Sequence, residues 1–255
     1  MNKMNDNIKR HITRRKSLHI EEVEDYIAVE QILKLSLNGK EVVNLYCTPT
    51  MVRELVVGFC MTEEIVNGKL CIDDMTIKYG KEITVDISAA GEVNTNGLTI
   101  TSGCVGGITF NRKKNIKKIT DPFTIKASTI KSIFEEFRQK ADLFKLTGCV
   151  HSAALSDARK LLIFAEDIGR HNAVDKVIGA AIIEGISFSE KIMLVSGRLS
   201  SEIAYKCALW GIPIVASRTA PTDLAVRIAE DSGVTLIGFV RGDRMNIYTY
   251  PQRIL

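Results

Sequence analysis

Cys104 stands where a thiol could react, between Gly103 and the pair Gly106-Gly107 and just after Thr101 and Ser102. Glycines on both sides let the backbone take positive φ, approach a partner closely and move. Successive N–H groups in such a turn form an anion nest that favours a thiolate. An unperturbed thiol, with a pKa of ~8.5, is roughly 3% ionised at neutral pH, and lowering that value to ~6.5 makes thiolate the majority form. Thiolate–persulfide exchange needs this combination of access and ionisation. Spacing alone leaves a second reading open, a tight glycine turn with an incidental cysteine. The other five cysteines (Cys47, Cys60, Cys71, Cys149, Cys207) contain no C-x-x-C pair and spell neither a zinc site nor a disulfide framework. Cys47, Cys60 and Cys207 fall in apolar patterns and read as buried, inert thiols.

A second concentration of chemistry lies in four short turns of the C-terminal half. They are Glu166-Asp167-Ile168-Gly169-Arg170-His171-Asn172, Ser196-Gly197-Arg198-Leu199-Ser200-Ser201, Ser217-Arg218-Thr219-Ala220-Pro221-Thr222 and Arg241-Gly242-Asp243-Arg244. Each carries an arginine beside glycine or hydroxyl residues. Guanidinium forks bind phosphate oxygens with paired hydrogen bonds, and helix N-termini add N–H donors. A local carboxylate (Asp167, Asp223 or Asp243) explains any one of these arginines; four out of four point to a ligand with more than one phosphate. Neither G-x-x-x-x-G-K-[ST] nor a strand-to-helix G-x-G-x-x-G is present, which disfavours an ATPase or a Rossmann dehydrogenase. His171 reads as a helix cap or phosphate donor before it reads as a base. His151 is a weak metal hint without the remaining elements of a zinc deaminase.

The elements that must position these residues follow from apolar periodicity. Ile27–Cys47 alternates around Asn38-Gly39, a hairpin signal, and Met51–Ile65 reads as a helix. Met75–Tyr79 and Ile83–Ile87 form a second strand pair. Ile130 to Phe144 share one helical face, stopped by Gly148. Short apolar strands then alternate with helices, starting at Leu161, Ile192, Ile212 and Leu236. That rhythm predicts an α/β fold: a C-terminal, mostly parallel sheet with flanking helices, plus a smaller N-terminal α+β domain. The four arginine turns then fall at the carboxyl ends of strands, where such sheets bind ligands. The expected division is a basic, disordered tail at 1–19, an N-terminal domain at 20–120 carrying Cys104, and a cofactor-binding domain at 121–255.

Charge supports this division. Residues 1–19 hold six basic side chains and one acid, leaving 28 basic and 29 acidic residues elsewhere. The body is near neutral and lacks aromatic–basic clusters, which argues against a nucleic-acid partner. The basic run at Arg112–Lys118 reads as a solvated face. No apolar run approaches the ~18–20 residues needed to span a bilayer, and the N-terminus has no secretory h-region, so a cytoplasmic protein without a membrane partner is expected.

The run Glu166-Asp-Ile-Gly-Arg-His-Asn-Ala-Val-Asp-Lys-Val-Ile-Gly179, with Ser196-Gly-Arg198, Ser217-Arg-Thr-Ala-Pro-Thr222 and Gly238-Phe-Val-Arg-Gly-Asp-Arg244, resembles the formate dehydrogenase accessory sulfurtransferase family, FdhD. The likeness extends in order over most of residues 20–255. It implies a sulfur carrier that takes sulfane sulfur from a cysteine desulfurase as a persulfide. The carrier delivers it to the bis-molybdopterin guanine dinucleotide form of the molybdenum cofactor, bound as cargo, for formate dehydrogenase. The resemblance also implies a homodimer and a C-terminal domain similar to the cytidine deaminase fold without its zinc. By position, Cys104 matches the family's persulfide cysteine, and Phe239, Val240, Arg241, Gly242, Asp243 and Arg244 match its cofactor-binding segment. Gly169, Arg170, His171, Asn172, Ser196, Gly197, Arg198, Ser217, Arg218 and Thr219 complete the expected cradle. This chain departs from many relatives in having one cysteine in the loop, with Gly106-Gly107 where a second would fall. A cofactor chaperone without sulfur transfer is the alternative, followed by a nucleotide-dependent enzyme using His171 as base and an RNA-binding protein using the tail.

Overall fold

The structure is a computed structural model that describes residues 5–93, 99–101, 107–109 and 116–255. Cys104 and Arg112–Asn115 therefore lie outside the described residues.

Strand β3 (Gln31–Leu37) buries Leu33, Leu35 and Leu37 and turns at Asn38-Gly39 into β4 (Lys40–Cys47). Both turn residues have positive φ (51° and 75°), as a two-residue hairpin turn requires. The Asn38 side chain also pairs with Ala89 like one more rung of sheet, accepting its N–H at 2.9 Å and donating to its carbonyl at 3.1 Å. Strands β5 (Val66–Lys78) and β6 (Ile83–Val93) complete a four-stranded sheet in the order β4-β3-β6-β5, with β3 and β6 parallel. Helix α1 (Val52–Thr62) covers it through Leu55, Val56 and Phe59. Two short strands, β7 (Thr99–Thr101) and β8 (Gly107–Thr109), pair antiparallel on either side of residues 102–106.

The expected basic, disordered tail is corrected. Asn7–Lys16 forms β1, paired along its length with β2 (His19–Ala28). The reason is charge complementarity with the next segment: β2 carries Glu21, Glu22, Glu24 and Asp25. Lys9 reaches Glu24 at 3.0 Å, Arg14 reaches Asp25 at 3.6 Å and Lys16 reaches Glu21 at 3.7 Å.

The second sheet has six strands in the order β10-β9-β11-β12-β13-β14. They are β9 (His151–Ser156), β10 (Leu161–Asp167), β11 (Ile192–Val195), β12 (Ile214–Ser217), β13 (Thr235–Arg241) and β14 (Arg244–Ile247). The expected mostly parallel sheet is a mixed one. Only β11-β12 and β12-β13 pair in parallel, while β10-β9, β9-β11 and β13-β14 are antiparallel. Two tight returns cause this. Asp157 accepts the N–H groups of Arg159 and Lys160 and turns β9 into β10, and Gly242-Asp243 folds β14 back on β13. Because β10 and β11 are separated by two antiparallel steps, they point the same way. The carboxyl ends of β10, β11, β12 and β13 thus share one edge.

Side chains alternate between the faces of this sheet. Ala153, Leu155, Met193, Val195 and Val215 pack under α4 (Arg170–Ile183), α5 (Ser201–Leu209) and α6 (Asp223–Ser232). Ala154, Ile192, Leu194, Ile214 and Ile237 pack under α2 (Ala127–Gln139). The single helix expected through Phe144 breaks into α2 and a short α3 (Asp142–Thr147). Glu166 accepts N–H bonds from Leu143 (2.9 Å) and Phe144 (3.0 Å), which a fresh helix N-terminus supplies and a continuous helix does not. No described helix is long and apolar enough to cross a membrane.

The halves meet where α1 crosses α4. A Cβ on Gly58 would lie 1.8 Å from the Asp175 carbonyl oxygen, and one on Gly179 would lie 1.9 Å from that of Glu54. Backbone rests on backbone there, and only glycine fits.

Candidate functional site

Three of the four arginine turns, those at Ser196, Ser217 and Arg241, are laced together along the shared edge by hydrogen bonds. The Ser196 N–H donates to the Ser152 carbonyl (3.0 Å), and the Ser152 N–H to Ser196 Oγ (2.9 Å). Ser217 Oγ donates to the Gly197 carbonyl (2.7 Å) and accepts from the Thr219 N–H (3.0 Å). Phe239 N–H donates to the Thr219 carbonyl (3.2 Å), and Arg241 Nε to the Arg218 carbonyl (3.0 Å). Each turn therefore fixes its neighbour.

Arg170 opens α4 and is buried, with its Cβ and Cδ lying over Gly197 beside His151. A Cβ on Gly197 would sit 3.3 Å from those carbons and from His151 Nδ1, so the glycine makes room for the arginine. Arg198 is exposed at the next turn. At the far end of the edge, Phe239 holds φ = 53° within a bulge between Gly238 and Arg241. A bulky residue with that φ is strained, and such strain collects at ligand sites. Arg244 lies 5.1 Å from the Phe239 ring centre. Asp243 engages Lys131 of α2 at 3.1 Å.

The long run 166–179 divides its work. Arg170 packs along the edge over Gly197, and the Asn172 amide donates to the Tyr46 carbonyl (2.8 Å) and to Asp167 (2.9 Å). Asp167 is fully buried, pairs with Lys176 at 2.7 Å and also accepts from the backbone N–H groups of Thr48 (3.0 Å) and Gly169 (2.8 Å). One turn on, Asp175 receives Thr62 Oγ1 (2.7 Å) and Lys206 (2.6 Å), and Lys206 also reaches Glu63 at 2.9 Å. These buried charges form a polar weld that joins the two halves beside the Arg170 turn.

His171 Nε2 lies 3.2 Å from Ser200 Oγ and 3.9 Å from Glu202. Burial, then the charges of Lys206 and Arg170, push its pKa down to about 3. The imidazole is held neutral at physiological pH and is a weak base there. His151, also lowered by burial and by Arg170, bonds Ser196 at 3.4 Å. The positive charge of the edge is therefore carried by guanidinium groups. Among the described residues no cluster of three His, Cys, Asp or Glu side chains could hold a metal ion.

Burial pushes the thiols of Cys47, Cys60 and Cys207 up to about 12, leaving them protonated and unreactive. Cys149 is exposed and Cys71 half-buried. An open cleft of about 450 Å³, lined by Arg53, Lys69, Cys71, Asp73 and Ile182, lies at the opposite end of the 14-residue α4 from the arginine edge. Its Arg53 is engaged by Asp73 (3.6 Å) and the Ile72 carbonyl (3.2 Å). The guanidinium edge, not this cleft, is the candidate site. Sequence reasoning missed Lys131, which reaches Asp243 from α2 rather than from a strand-end turn.

Comparisons with known proteins agree over nearly the whole chain. The model of the FdhD/NarQ family matches residues 28–255. A Bacillus subtilis protein named sulfur carrier protein FdhD is 37% identical, covering 98% of this chain and 99% of its own. A Sulfolobus acidocaldarius protein of the same name is 38% identical, covering 91% and 92% respectively. A solved structure, described as a formate dehydrogenase accessory protein from Desulfotalea psychrophila, superposes with a TM-score of 0.80 at 26% identity, covering 98% of this chain and all of that one.

Proposed function

This chain belongs to the FdhD/NarQ family, and from that premise we propose that it carries sulfur on Cys104 from a cysteine desulfurase to bis-molybdopterin guanine dinucleotide destined for formate dehydrogenase. The observation that carries the reading is the edge itself, where three arginine turns bonded to one another, with Arg170 packed over Gly197 beside them, set arginines along one edge as a polyphosphate cargo requires. Charge-assisted bonds to phosphate contribute about 1.5–3 kcal/mol each, so two or three engaged arginines suffice for firm retention. The Phe239–Arg244 bulge offers an aromatic ring and a guanidinium beside the phosphates.

The sulfur chemistry runs in two exchanges. The Cys104 thiolate attacks the terminal sulfur of the desulfurase persulfide; one S–S bond breaks on the donor as another forms here, with no net redox change. Delivery breaks the Cys104 S–S bond and returns the thiolate. The two electrons that convert sulfane sulfur to sulfide come from the acceptor metal centre or from two external thiols that leave as a disulfide, since Gly106-Gly107 supply no second cysteine. The polar weld holds the Arg170 turn in place while the cargo is bound.

Intact mass after incubation with a cysteine desulfurase and cysteine is expected to show one added sulfur, removed by reductant and absent in Cys104→Ala. In parallel, GDP is expected to raise the melting temperature of the wild type but not of Arg170→Ala or Arg241→Ala. A wild type that takes up no sulfur but is stabilised by GDP would replace the carrier with a cofactor chaperone. An unchanged GDP shift in both arginine variants would remove the cradle.

A further inference from the structure

We infer that the cleft beside Cys71 is a separate thiol site, which binds zwitterionic, amino-acid-sized disulfides and exchanges with them to leave a mixed disulfide on Cys71. The inference is independent of the sulfur-carrier reading, since the cleft lies at the far end of α4 from the arginine edge. Its volume of about 450 Å³ is that of a small-molecule site. A shift in the register of the edge strand β5 builds its wall. From Cys71 to Thr76 β5 advances five residues, while β6 advances two, from Ser88 to Asp86. The three extra residues of β5 are taken up in a bulge, a device that re-aims side chains at a sheet edge. Arg53 of α1 fastens the bulge, donating to the Ile72 carbonyl (3.2 Å) and pairing with Asp73 (3.6 Å). Ile182, in the last turn of α4, supplies an apolar floor.

The charges that remain select the ligand. Lys69 and Asp74 both line the cleft, and neither side chain has an ion-pair partner among the described residues. Lys69 stands two residues before Cys71 on β5 and so shares its face, while Leu70 between them is buried on the other. Cys71 is half-buried and opens on the same cleft. A thiol, a cation and a carboxylate over an apolar floor complement a molecule that carries an α-carboxylate, an α-ammonium and a disulfide, which describes cystine or the disulfide of a small thiol peptide. In the exchange, the Cys71 thiolate, its proton released to solvent, attacks one sulfur of the bound disulfide. The ligand S–S bond breaks, a new one forms to Cys71 Sγ, and the other half leaves as a thiolate that takes up a proton. The disulfide is itself the oxidant. Cys149 is exposed too, but it lies outside the cleft and has none of this lining.

The full chain carrying Cys104→Ala, so that the carrier thiol does not compete, is incubated with cystine and separately with the neutral hydroxyethyl disulfide, and adducts are located by peptide mass mapping. Each rate at Cys71 is divided by the rate at Cys149 in the same molecules, which cancels the intrinsic reactivity of the reagent. Cystine is expected to modify Cys71 about five-fold faster than the neutral reagent on this scale, the increment that two exposed ion pairs supply. Lys69→Gln and Asp74→Asn should each cut the preference about two-fold or more, with the rates at Cys149 unchanged. The comparison of reagents uses a single chain, so misfolding of a variant cannot produce it. Equal rates for the two reagents, or no adduct on Cys71 with either, overturn the site. A preference that survives both substitutions overturns the assignment of Lys69 and Asp74. Because the chain tested lacks Cys104, failure of the sulfur-carrier reading leaves this result standing.

Discussion

Protonation of His171 should make this protein acid-sensitive by an amount that can be worked out in advance. Its side chain is 17% exposed, and burial together with Lys206 and Arg170 sets its folded pKa at about 3. In the unfolded chain it titrates near ~6.5. The folded value is depressed, so the unfolded state takes up the proton first as pH falls. The histidine's contribution to stability is full above pH ~6.5 and is lost progressively between there and about 3. At pH 5 the loss is about 2 kcal/mol relative to pH 7.5, a large share of a typical total of roughly 5–15 kcal/mol. His151 acts in the same sense. Glu166 and Asp175 act in the opposite one: burial raises both, Asp175 to about 6, so their contribution is greatest in acid and is lost as pH rises. Comparison with His171→Gln cancels these shared terms, and glutamine keeps a polar partner for Ser200. Urea unfolding at pH 7.5 and 5.0 should show the wild type losing about 2 kcal/mol more than the variant. Equal losses in both, within about 0.5 kcal/mol, would refute the assignment of His171 as a buried neutral imidazole.

Two further predictions concern the joint between the halves. Lys176→Met leaves Asp167 charged and fully buried, and is expected to cost about 3–5 kcal/mol in urea unfolding; a cost below about 1 kcal/mol would mean that the pair is not desolvated. Gly179→Ala should destabilise by at least about 2 kcal/mol, because overpacking against the Glu54 carbonyl outweighs the gain of about 1 kcal/mol in helix propensity. A stabilised variant in thermal unfolding would show that α1 and α4 do not touch there.

Local signals in the sequence reached as far as the elements whose partners lie nearby. Asn38-Gly39 specified its hairpin because positive φ at two successive residues is written in residue type. Arg170, Arg198 and Arg218 were found because a β-strand followed by a helix fixes where its turn must lie. What was lost depended on long-range pairing. Strand β9 carries no alternating signature, since Ala153, Ala154 and Leu155 are buried on both faces, and its antiparallel entry turned an expected parallel sheet into a mixed one. The N-terminal ribbon was hidden because its basic strand was weighed apart from the acidic strand that neutralises it. The break between α2 and α3 is imposed by Glu166, more than twenty residues away.

The weld explains why a run as long as 166–179 is needed for a site that uses so few of its side chains. Burying Asp167, Asp175, Lys176 and Lys206 costs desolvation, and apolar replacements of similar volume would often be as stable. What apolar residues could not do is orient the turn. The Asp167 carboxylate accepts the Gly169 N–H and the Asn172 amide while Lys176 holds it from the other side, so the backbone that presents Arg170 has one conformation open to it. Asn172 then reaches the Tyr46 carbonyl, and Thr48 bonds the same carboxylate, so the N-terminal half is registered against that conformation. On the function proposed above, bringing a thiol from one half to a cargo gripped by the other depends on that registration. The buried charges supply it through directional bonds between the halves, whereas an apolar seam would have let the two sheets slide.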